Sequence, residues 1–271
     1  MADDVKKLET SHGTIAYRES AESGIPLLMI HGNSSSSAVF KNQLNGEVGW
    51  KFRVIAPDLP GHGDSSDALD PKRTYSMEGY ADAITELLAK LGIEEAVVFG
   101  WSLGGHIGLE MISRFPGMKG LMITGTPPVA PDEIASGFKP SEHMHLAGQQ
   151  EFTPAEVEAY ARSTCGEPFE SFFLDVVGRT DGRARRYMFE SFGGGTGDNQ
   201  RQIVAEATIP IAVVNGADEP FVNLDFVSAV KFGNLWEAQT YRIENSGHAS
   251  FWDRPAEFDP YLLRFASEVS R

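Results

Sequence analysis

The strongest constraint on the fold is the pentapeptide Gly-Trp-Ser-Leu-Gly at residues 100–104. The apolar run before it, residues 96–99, is typical of a strand, and the apolar periodicity of residues 103–115 is typical of a helix. A serine with a glycine two residues away on each side, between a strand and a helix, predicts a sharp turn with a strained backbone and no room for side chains at positions 100 and 104. Such a turn holds the Ser102 hydroxyl at the end of the sheet, beside the positive end of a helix that favours developing negative charge.

Composition limits the partners and the compartment of the chain. With 271 residues, of which 41% are hydrophobic and 23% charged, the chain is long enough to bury a full core. A net charge of −15 argues against nucleic acid or an anionic membrane surface as partner. Residues 1–7 lack the apolar core of a signal peptide, and no apolar stretch approaches the ~18 residues of a membrane helix. We therefore expect a cytoplasmic protein without membrane insertion.

Strand and helix patterns alternate along most of the chain. Strand patterns occur at residues 13–18, 25–30, 52–56, 96–99, 120–124, 209–214 and 240–243. Helix patterns occur at residues 76–91, where Ser76 is the predicted cap and Gly92 the stop signal, and at residues 103–115, 222–232 and 255–269. This alternation predicts an α/β fold with a mainly parallel sheet and helices on both faces.

One long segment, residues 127–205, interrupts the alternation. It opens with three prolines, contains helical patterns, ends near a glycine cluster at residues 193–197 and holds seven of the 17 phenylalanines. We interpret it as a helical cap inserted into a core formed by residues 1–126 and 206–271. We expect this cap to cover an apolar pocket.

A serine nucleophile needs a base and a carboxylate that orients the base. His248 lies between the last strand and the last helix, and none of the other six histidines follows a strand in the required order. The acid belongs on the loop after residues 209–214, where Asp218 and Glu219 are adjacent. Because neighbouring side chains diverge, only one of these two carboxylates faces His248.

Backbone N–H groups are expected to bind the oxyanion that forms during acyl transfer. One belongs to Leu103, directly after the serine. The other lies on the loop after residues 25–30, where Asn33 is the candidate donor. His31 on the same loop is interpreted as a structural histidine rather than as a second base.

In order along the whole chain, these segments resemble the α/β-hydrolase superfamily. The resemblance rests on the pentapeptide and on four other segments, namely His31-Gly32-Asn33, residues 56–65, residues 216–220 and Gly247-His248. Family members commonly place the acid three residues after the glycine of the 216–220 loop and just before a proline. The resemblance therefore favours Glu219 over Asp218, although glutamate departs from the commoner aspartate and must reach the histidine from a shifted backbone.

Within the superfamily, the chain is similar to the α/β-hydrolase type of N-acylhomoserine lactonase. This resemblance implies hydrolytic opening of the lactone ring of quorum-sensing signals, so that the partner is a small lactone with an acyl chain. A capping box at residues 153–156 predicts a cap helix with Tyr160 on its apolar stripe. Tyr160 belongs either to the core or, as the resemblance favours, to the substrate site. Phe138, Met144, Phe172 and Phe173 are candidates for an acyl-chain pocket.

Other functions share parts of this pattern. The same triad serves carboxylesterases and C–C bond hydrolases, and a small-ligand receptor of the same fold is a rival from another class. His143-Met144-His145 is half of a metal site without carboxylate partners, and the single cysteine, Cys165, excludes an internal disulfide and a cysteine-based metal site. We therefore expect neither a metal nor a cofactor. The sequence leaves the oligomeric state open.

Overall fold

A computed structural model describes residues 4–21 and 23–271 of the chain. Residues 1–3, on which part of the signal-peptide argument rests, lie outside this range. The strands of the described part are β1 Lys6–Thr10, β2 Gly13–Glu19, β3 Pro26–Ile30, β4 Arg53–Pro57, β5 Ala96–Trp101, β6 Met118–Thr124, β7 Ile211–Gly216 and β8 Tyr241–Ile243. They form one eight-stranded sheet in the order β1-β2-β4-β3-β5-β6-β7-β8.

The sheet is mainly parallel, as the alternating pattern predicts. Strands β1 and β2 pair antiparallel with each other, and β2 pairs antiparallel with β4. The pairs from β4 through β3, β5, β6 and β7 to β8 are all parallel. All seven predicted strands are present. Sequence analysis missed only β1, which reads Lys-Lys-Leu-Glu-Thr and lies mostly exposed at the edge of the sheet, so that it lacks a core-facing apolar run.

Helices flank the sheet and fill the connections. In the described residues they are α1 Lys41–Asn45, α2 Glu47–Lys51, α3 Pro71–Thr74, α4 Met77–Lys90, α5 Leu103–Met111, α6 Ile134–Gly137, α7 Pro154–Cys165, α8 Phe172–Arg179, α9 Gly182–Gly193, α10 Gln200–Glu206, α11 Leu224–Ala229, α12 Ser250–Asp253 and α13 Pro255–Val269. Short 3₁₀ helices span Ser37–Phe40, Met144–Gly148 and Trp236–Ala238. None of the helices in the described ranges combines the length and apolarity that crossing a membrane requires.

Two predicted helices are shorter than the sequence pattern suggested. Helix α5 ends at Met111 rather than at Phe115. The Ile112 N–H closes a tighter turn by donating to the Leu109 carbonyl at 3.2 Å, and the proline at position 116 disfavours helical backbone at Phe115. Helix α11 spans only Leu224–Ala229, since Val230 adopts an extended conformation. The predicted cap of α4 is confirmed, because the Ser76 hydroxyl accepts the N–H of Gly79 at 3.1 Å.

Alternate residues of the central strands build a core on each side of the sheet. Leu28 and Val98 face one side, where they pack in a cluster with residues of α4 and α5. Leu27 and Val97 face the other side, in a cluster that includes Phe258 and Leu262 of α13. Both strands are almost completely buried, which explains their continuously apolar sequences.

The predicted cap segment, residues 127–205, contains helices α6 to α9 and most of α10, between β6 and β7. The capping box of α7 is confirmed, because the Thr153 hydroxyl accepts the Glu156 N–H and the Glu156 carboxylate accepts the Thr153 N–H. The division of the chain into core and cap stays a prediction. Helix α10 packs against α5 of the sheet layer, where Gln200 contacts His106.

Candidate active site

The turn at Ser102 joins β5 to α5 and has the strained backbone that the pentapeptide predicts. Ser102 has φ 54° and ψ −118°, a rare conformation for a residue with a side chain. A Cβ atom on Gly100 would lie 2.3 Å from the carbonyl oxygen of Gly104, and one on Gly104 would lie 2.1 Å from that of Ile30. The Ser102 N–H donates to the Thr124 carbonyl at 2.9 Å. Glycine is therefore required at both positions to hold Ser102 at the start of α5.

His248 lies on the loop between β8 and α12, and its ring is enclosed on several sides. The Trp101 indole N–H donates to the His248 carbonyl at 2.9 Å. The ring of Phe221 contacts the imidazole edge-on, with 4.9 Å between centroids. Gly125 has φ +63°, and a Cβ there would lie 2.6 Å from Cε1 of His248. These contacts leave the imidazole little freedom to rotate.

Glu219 follows β7 and is the carboxylate that pairs with His248. Its Oε2 lies 2.8 Å from Nδ1 of His248, and its side chain is completely buried. Its Oε1 accepts the backbone N–H groups of Phe221 at 2.9 Å and Val222 at 3.3 Å. Asp218 is exposed. A carboxylate at Nδ1 keeps the proton on that nitrogen, so that the Nε2 lone pair is available to a serine hydroxyl.

The loop after β3 approaches the same turn. A Cβ on Gly32 would lie 3.2 Å from Cβ of Ser102, which indicates how closely the two backbones meet. Asn33 is buried, and the NH₂ group of its side chain donates to the Ala147 carbonyl at 2.9 Å. Asn33 and Leu103 both line the cavity that contains Ser102. The predicted oxyanion donors thus lie on the two segments that border the serine.

Both ring nitrogens of His31, on this loop, form hydrogen bonds. Its Nε2 accepts the Leu59 N–H at 3.0 Å, so Nδ1 carries the proton and donates to the Gly32 carbonyl at 2.7 Å. Burial lowers the pKa of His31 and so favours this neutral form. The ring holds two loops together, in agreement with the structural role that we expected for it.

A cavity of about 270 Å³, here called the Ser102 cavity, opens beside Ser102 and His248. Of the residues predicted for an apolar pocket, Phe138, Met144 and Tyr160 line it. Sequence analysis missed several other lining residues, including Met77, His106, Met188, Phe189 and Phe192. The last three recur on one stripe of α9, a periodic signal that would have identified them.

Phe172 and Phe173 do not line the cavity, and their suggested role in the acyl-chain pocket is wrong. They pack against the indole ring of Trp252, with centroids 5.7 and 4.8 Å away. Their position at the start of α8 directs these rings into the core cluster beside α12 instead.

Two polar side chains of the Ser102 cavity have strongly shifted pKa values. Burial raises the pKa of the Tyr160 phenol, although the nearby positive charge of Arg185 and a hydrogen bond from Asn33 oppose the shift. Burial lowers the pKa of His106 to about 4, against the effect of its hydrogen bond to Gln200. Both groups are therefore neutral near pH 7, so each can offer a ligand a hydrogen bond but no charge.

The two histidines of the His-Met-His segment have different surroundings. His143 lines the Ser102 cavity, whereas His145 is exposed and its Nδ1 lies 3.0 Å from the Glu142 carbonyl. Across residues 4–21 and 23–271, no group of three or more His, Cys, Asp or Glu side chains is arranged to hold a metal ion.

Comparison with solved structures identifies a close relative. The structure of the N-acyl homoserine lactonase AidH complexed with N-butanoyl homoserine has a TM-score of 0.97 and 68% sequence identity, covering 99% of this chain and 98% of that chain. Two further AidH structures contain the E219G variant with N-hexanoyl homoserine and the S102G variant with N-hexanoyl homoserine lactone. The numbers of these two positions coincide with those of Glu219 and Ser102 here.

More distant relatives carry out other hydrolyses. The pimeloyl-[acyl-carrier protein] methyl ester esterase of Nitrosospira multiformis is 32% identical over 268 residues, which are 92% of this chain and 97% of the esterase. A 2-hydroxy-6-oxononadienedioate/2-hydroxy-6-oxononatrienedioate hydrolase of a Pseudomonas species is 24% identical, over 94% of this chain and 92% of its own length. A sequence model of the alpha/beta hydrolase fold matches residues 25–255. The chain therefore belongs to the alpha/beta hydrolase family.

Proposed function

We propose that this chain is a metal-independent serine hydrolase that opens the lactone ring of N-acylhomoserine lactones. The observation that carries the proposal is the 68% identity to AidH, extending over 99% of this chain. The arrangement of the site supports it. Ser102 and His248 line one largely apolar cavity and Glu219 pairs with His248, and ester hydrolysis needs a nucleophile, a base and an orienting acid.

In the first half of the reaction, Ser102 attacks the carbonyl carbon of the lactone. Nε2 of His248 takes the proton of the Ser102 hydroxyl as the Oγ–C bond forms, and Glu219 stabilises the resulting imidazolium through Nδ1. The carbonyl oxygen becomes an oxyanion that accepts the backbone N–H groups of Asn33 and Leu103. The ring C–O bond then breaks, and His248 returns its proton to the departing alkoxide. The product is an acyl-enzyme that bears a homoserine hydroxyl group.

In the second half, water must displace Ser102 from this acyl-enzyme. The released hydroxyl remains attached to the acyl group, so it competes with water and can close the ring again. His248 removes a proton from the attacking water, the Oγ–C bond breaks, and the proton passes to Ser102. The products are an N-acylhomoserine carboxylate and the regenerated serine. Net hydrolysis therefore depends on how well a water molecule is held beside His248.

The acyl chain of the substrate is assigned to the apolar part of the Ser102 cavity. Phe138 and Met144 line this part, and Tyr160 places its phenol beside Asn33. A neutral phenol can donate a hydrogen bond to a carbonyl oxygen of the substrate, so we assign Tyr160 to substrate binding.

The proposal is tested by measuring ring opening of N-hexanoyl homoserine lactone by the purified protein, with and without a chelator. We expect activity that resists the chelator and falls at least about 10³-fold in Ser102→Ala. Ser267→Ala, on the outer helix α13, is the matched control and should retain activity. Loss of activity with chelator, or turnover by Ser102→Ala close to that of the unchanged protein, would refute the scheme.

A carboxylesterase is the second candidate, because the Nitrosospira esterase is 32% identical over 92% of this chain. The same triad cleaves a linear ester, and the difference lies in the fit of the cavity. Comparing kcat/KM for N-acylhomoserine lactones with that for methyl esters of equal chain length separates the two candidates. A higher value for the methyl esters would favour the esterase.

A further inference from the structure

His106 is a polar group in the apolar part of the Ser102 cavity that the proposed reaction does not use. It lies one helical turn beyond Ser102 in α5, and its backbone N–H donates to the Ser102 carbonyl at 3.3 Å. The rings of Phe192 and Phe138 surround it, with centroids 5.1 and 6.3 Å from that of the imidazole. Its ring therefore borders the space assigned to the acyl chain.

A chain of hydrogen bonds determines which ring nitrogen of His106 carries the proton. Nε2 of Gln200 lies 3.7 Å from the Met77 sulfur, and Oε1 of Gln200 lies 2.7 Å from Nδ1 of His106. A thioether sulfur has no proton to donate, so the NH₂ group of Gln200 faces Met77 and the amide oxygen faces His106. That oxygen only accepts, and Nδ1 of His106 must therefore be the protonated nitrogen.

The opposite nitrogen, Nε2, then carries a lone pair. Within the described part of the chain, no protein group hydrogen bonds to this atom, and His106 is only 4% exposed. Burial that lowers the pKa of His106 to about 4 keeps the ring neutral, so Nε2 remains an acceptor at pH 7. A bound acyl chain that excludes water from this apolar space leaves the acceptor unpaired, which is unfavourable, unless the chain itself brings a donor.

We propose that His106 determines substrate specificity by accepting, at Nε2, a hydrogen bond from a hydroxyl group on the acyl chain. This inference rests on the proposed lactonase function. A hydroxyl group supplies the missing donor, a methylene group supplies nothing, and an oxo group brings only lone pairs that face the lone pair of Nε2. The cavity therefore favours hydroxylated over unsubstituted chains and unsubstituted over oxo-substituted chains.

The test compares kcat/KM for three lactones of equal length, N-hexanoyl, N-(3-hydroxyhexanoyl) and N-(3-oxohexanoyl) homoserine lactone, with both epimers of the hydroxylated chain. We expect the better hydroxy epimer to exceed the unsubstituted chain by about tenfold, the effect of one hydrogen bond in a buried site. The oxo chain should fall below the unsubstituted one.

Three variants connect this preference to the imidazole. His106→Phe keeps a ring of similar size without an acceptor, and it should bring the hydroxy-to-unsubstituted ratio to about one. Gln200→Leu removes the acceptor of the Nδ1 proton, so both tautomers become populated and the ratio should fall although His106 is present. Nitrogen NMR of the imidazole then reports the change of tautomer. Met188→Leu is a matched change in another lining residue and should preserve the ratio.

The outcomes separate this inference from the function on which it rests. If the unchanged protein opens none of the three lactones, the proposed function fails and the inference falls with it. If it opens the unsubstituted and hydroxylated lactones equally well, or if His106→Phe lowers kcat/KM for all three chains by the same factor, the specificity role is refuted. The second result would instead indicate a contact with the amide group that all three substrates share.

Discussion

Oε2 of Glu219 lies 2.8 Å from Nδ1 of His248, while Oε1 of the same carboxylate accepts two backbone N–H groups of its own loop. The loop therefore fixes the orientation of the carboxylate, and the carboxylate fixes the orientation of the imidazole. This arrangement explains how a glutamate takes the place of the commoner aspartate, because the longer side chain is held at both oxygens.

The first prediction concerns Glu219→Gln. The backbone N–H groups of Phe221 and Val222 should donate to the amide oxygen of the glutamine as they do to Oε1 of Glu219. The NH₂ group of the glutamine then faces Nδ1 of His248. Nδ1 must then accept, the proton moves to Nε2, and the base can no longer take a proton from Ser102. We expect kcat for lactone opening to fall by about 10²–10⁴-fold.

Asp218→Asn is the matched control for this change. The Asp218 side chain is exposed and adjacent to Glu219, so its loss should leave kcat near that of the unchanged protein. A larger loss in Asp218→Asn than in Glu219→Gln would show that Asp218, and not Glu219, is the acid.

The second prediction concerns Gly125→Ala. A Cβ at this position would lie 2.6 Å from Cε1 and 2.8 Å from Nδ1 of His248, and φ of +63° disfavours any side chain. The imidazole must shift, which separates it from Glu219 or from Ser102, and we expect kcat to fall at least about tenfold. Gly178→Ala in α8, where a Cβ meets no atom within 4 Å, should keep full activity. Equal kcat in both variants would show that a displacement of the His248 imidazole by the added methyl group does not lower the rate, contrary to this prediction.

Much of the fold is predictable because buried parallel strands have an unambiguous sequence signature. Residues 25–30 and 96–99 are continuously apolar, and both form central strands with neighbours on each side. Strand β1 is not predictable in this way, since its Lys-Lys-Leu-Glu-Thr sequence pairs through the backbone at an exposed edge. Local apolar patterns thus identify the centre of the sheet better than its margins.

Some residues of the candidate site can likewise be predicted from the sequence, and others cannot. Ser102 lies between two glycines that its turn requires, and His248 lies on the loop after the last strand, so the sequence alone predicts both. His106 carries no such signal, because its role depends on Gln200, which is 94 residues away along the chain. Phe172 and Phe173 look equivalent to Phe138 in the sequence, and only the direction of α8 decides that they pack against Trp252.

The third prediction tests the role of Tyr160 in substrate binding. If its phenol donates a hydrogen bond to the substrate, Tyr160→Phe should lower kcat/KM by about tenfold, the value of one such bond. Tyr187→Phe makes the same chemical change in α9 at a half-buried residue, and it should leave kcat/KM unchanged. Steady-state kinetics on both variants decide the question, and an unaltered kcat/KM in Tyr160→Phe would make Tyr160 a core residue only.

The last prediction concerns the pH dependence of stability and a buried acid, Glu110 of α5. Its side chain is only 1% exposed, and burial, together with the charge of Asp198, raises its pKa from 4.5 to about 7, although Arg114 opposes the shift. An acid with a higher pKa in the folded state binds its proton more tightly when folded. The proton on Glu110 therefore stabilises the folded state. This stabilisation is complete below pH 4.5, decreases as the pH rises from there, and is lost once the pH has passed about 7.

Glu110→Gln removes this titration while keeping a side chain of the same size. Between pH 4.5 and 8, the free energy of unfolding of the unchanged protein should therefore fall relative to that of Glu110→Gln, by about 3 kcal/mol in total. Urea unfolding of both proteins at several pH values measures the difference. Glu158→Gln, at an exposed position of α7, is the control and should show no such trend. A difference between the unchanged protein and Glu110→Gln that stays constant with pH would mean that Glu110 titrates normally, with water or Arg114 compensating for its burial.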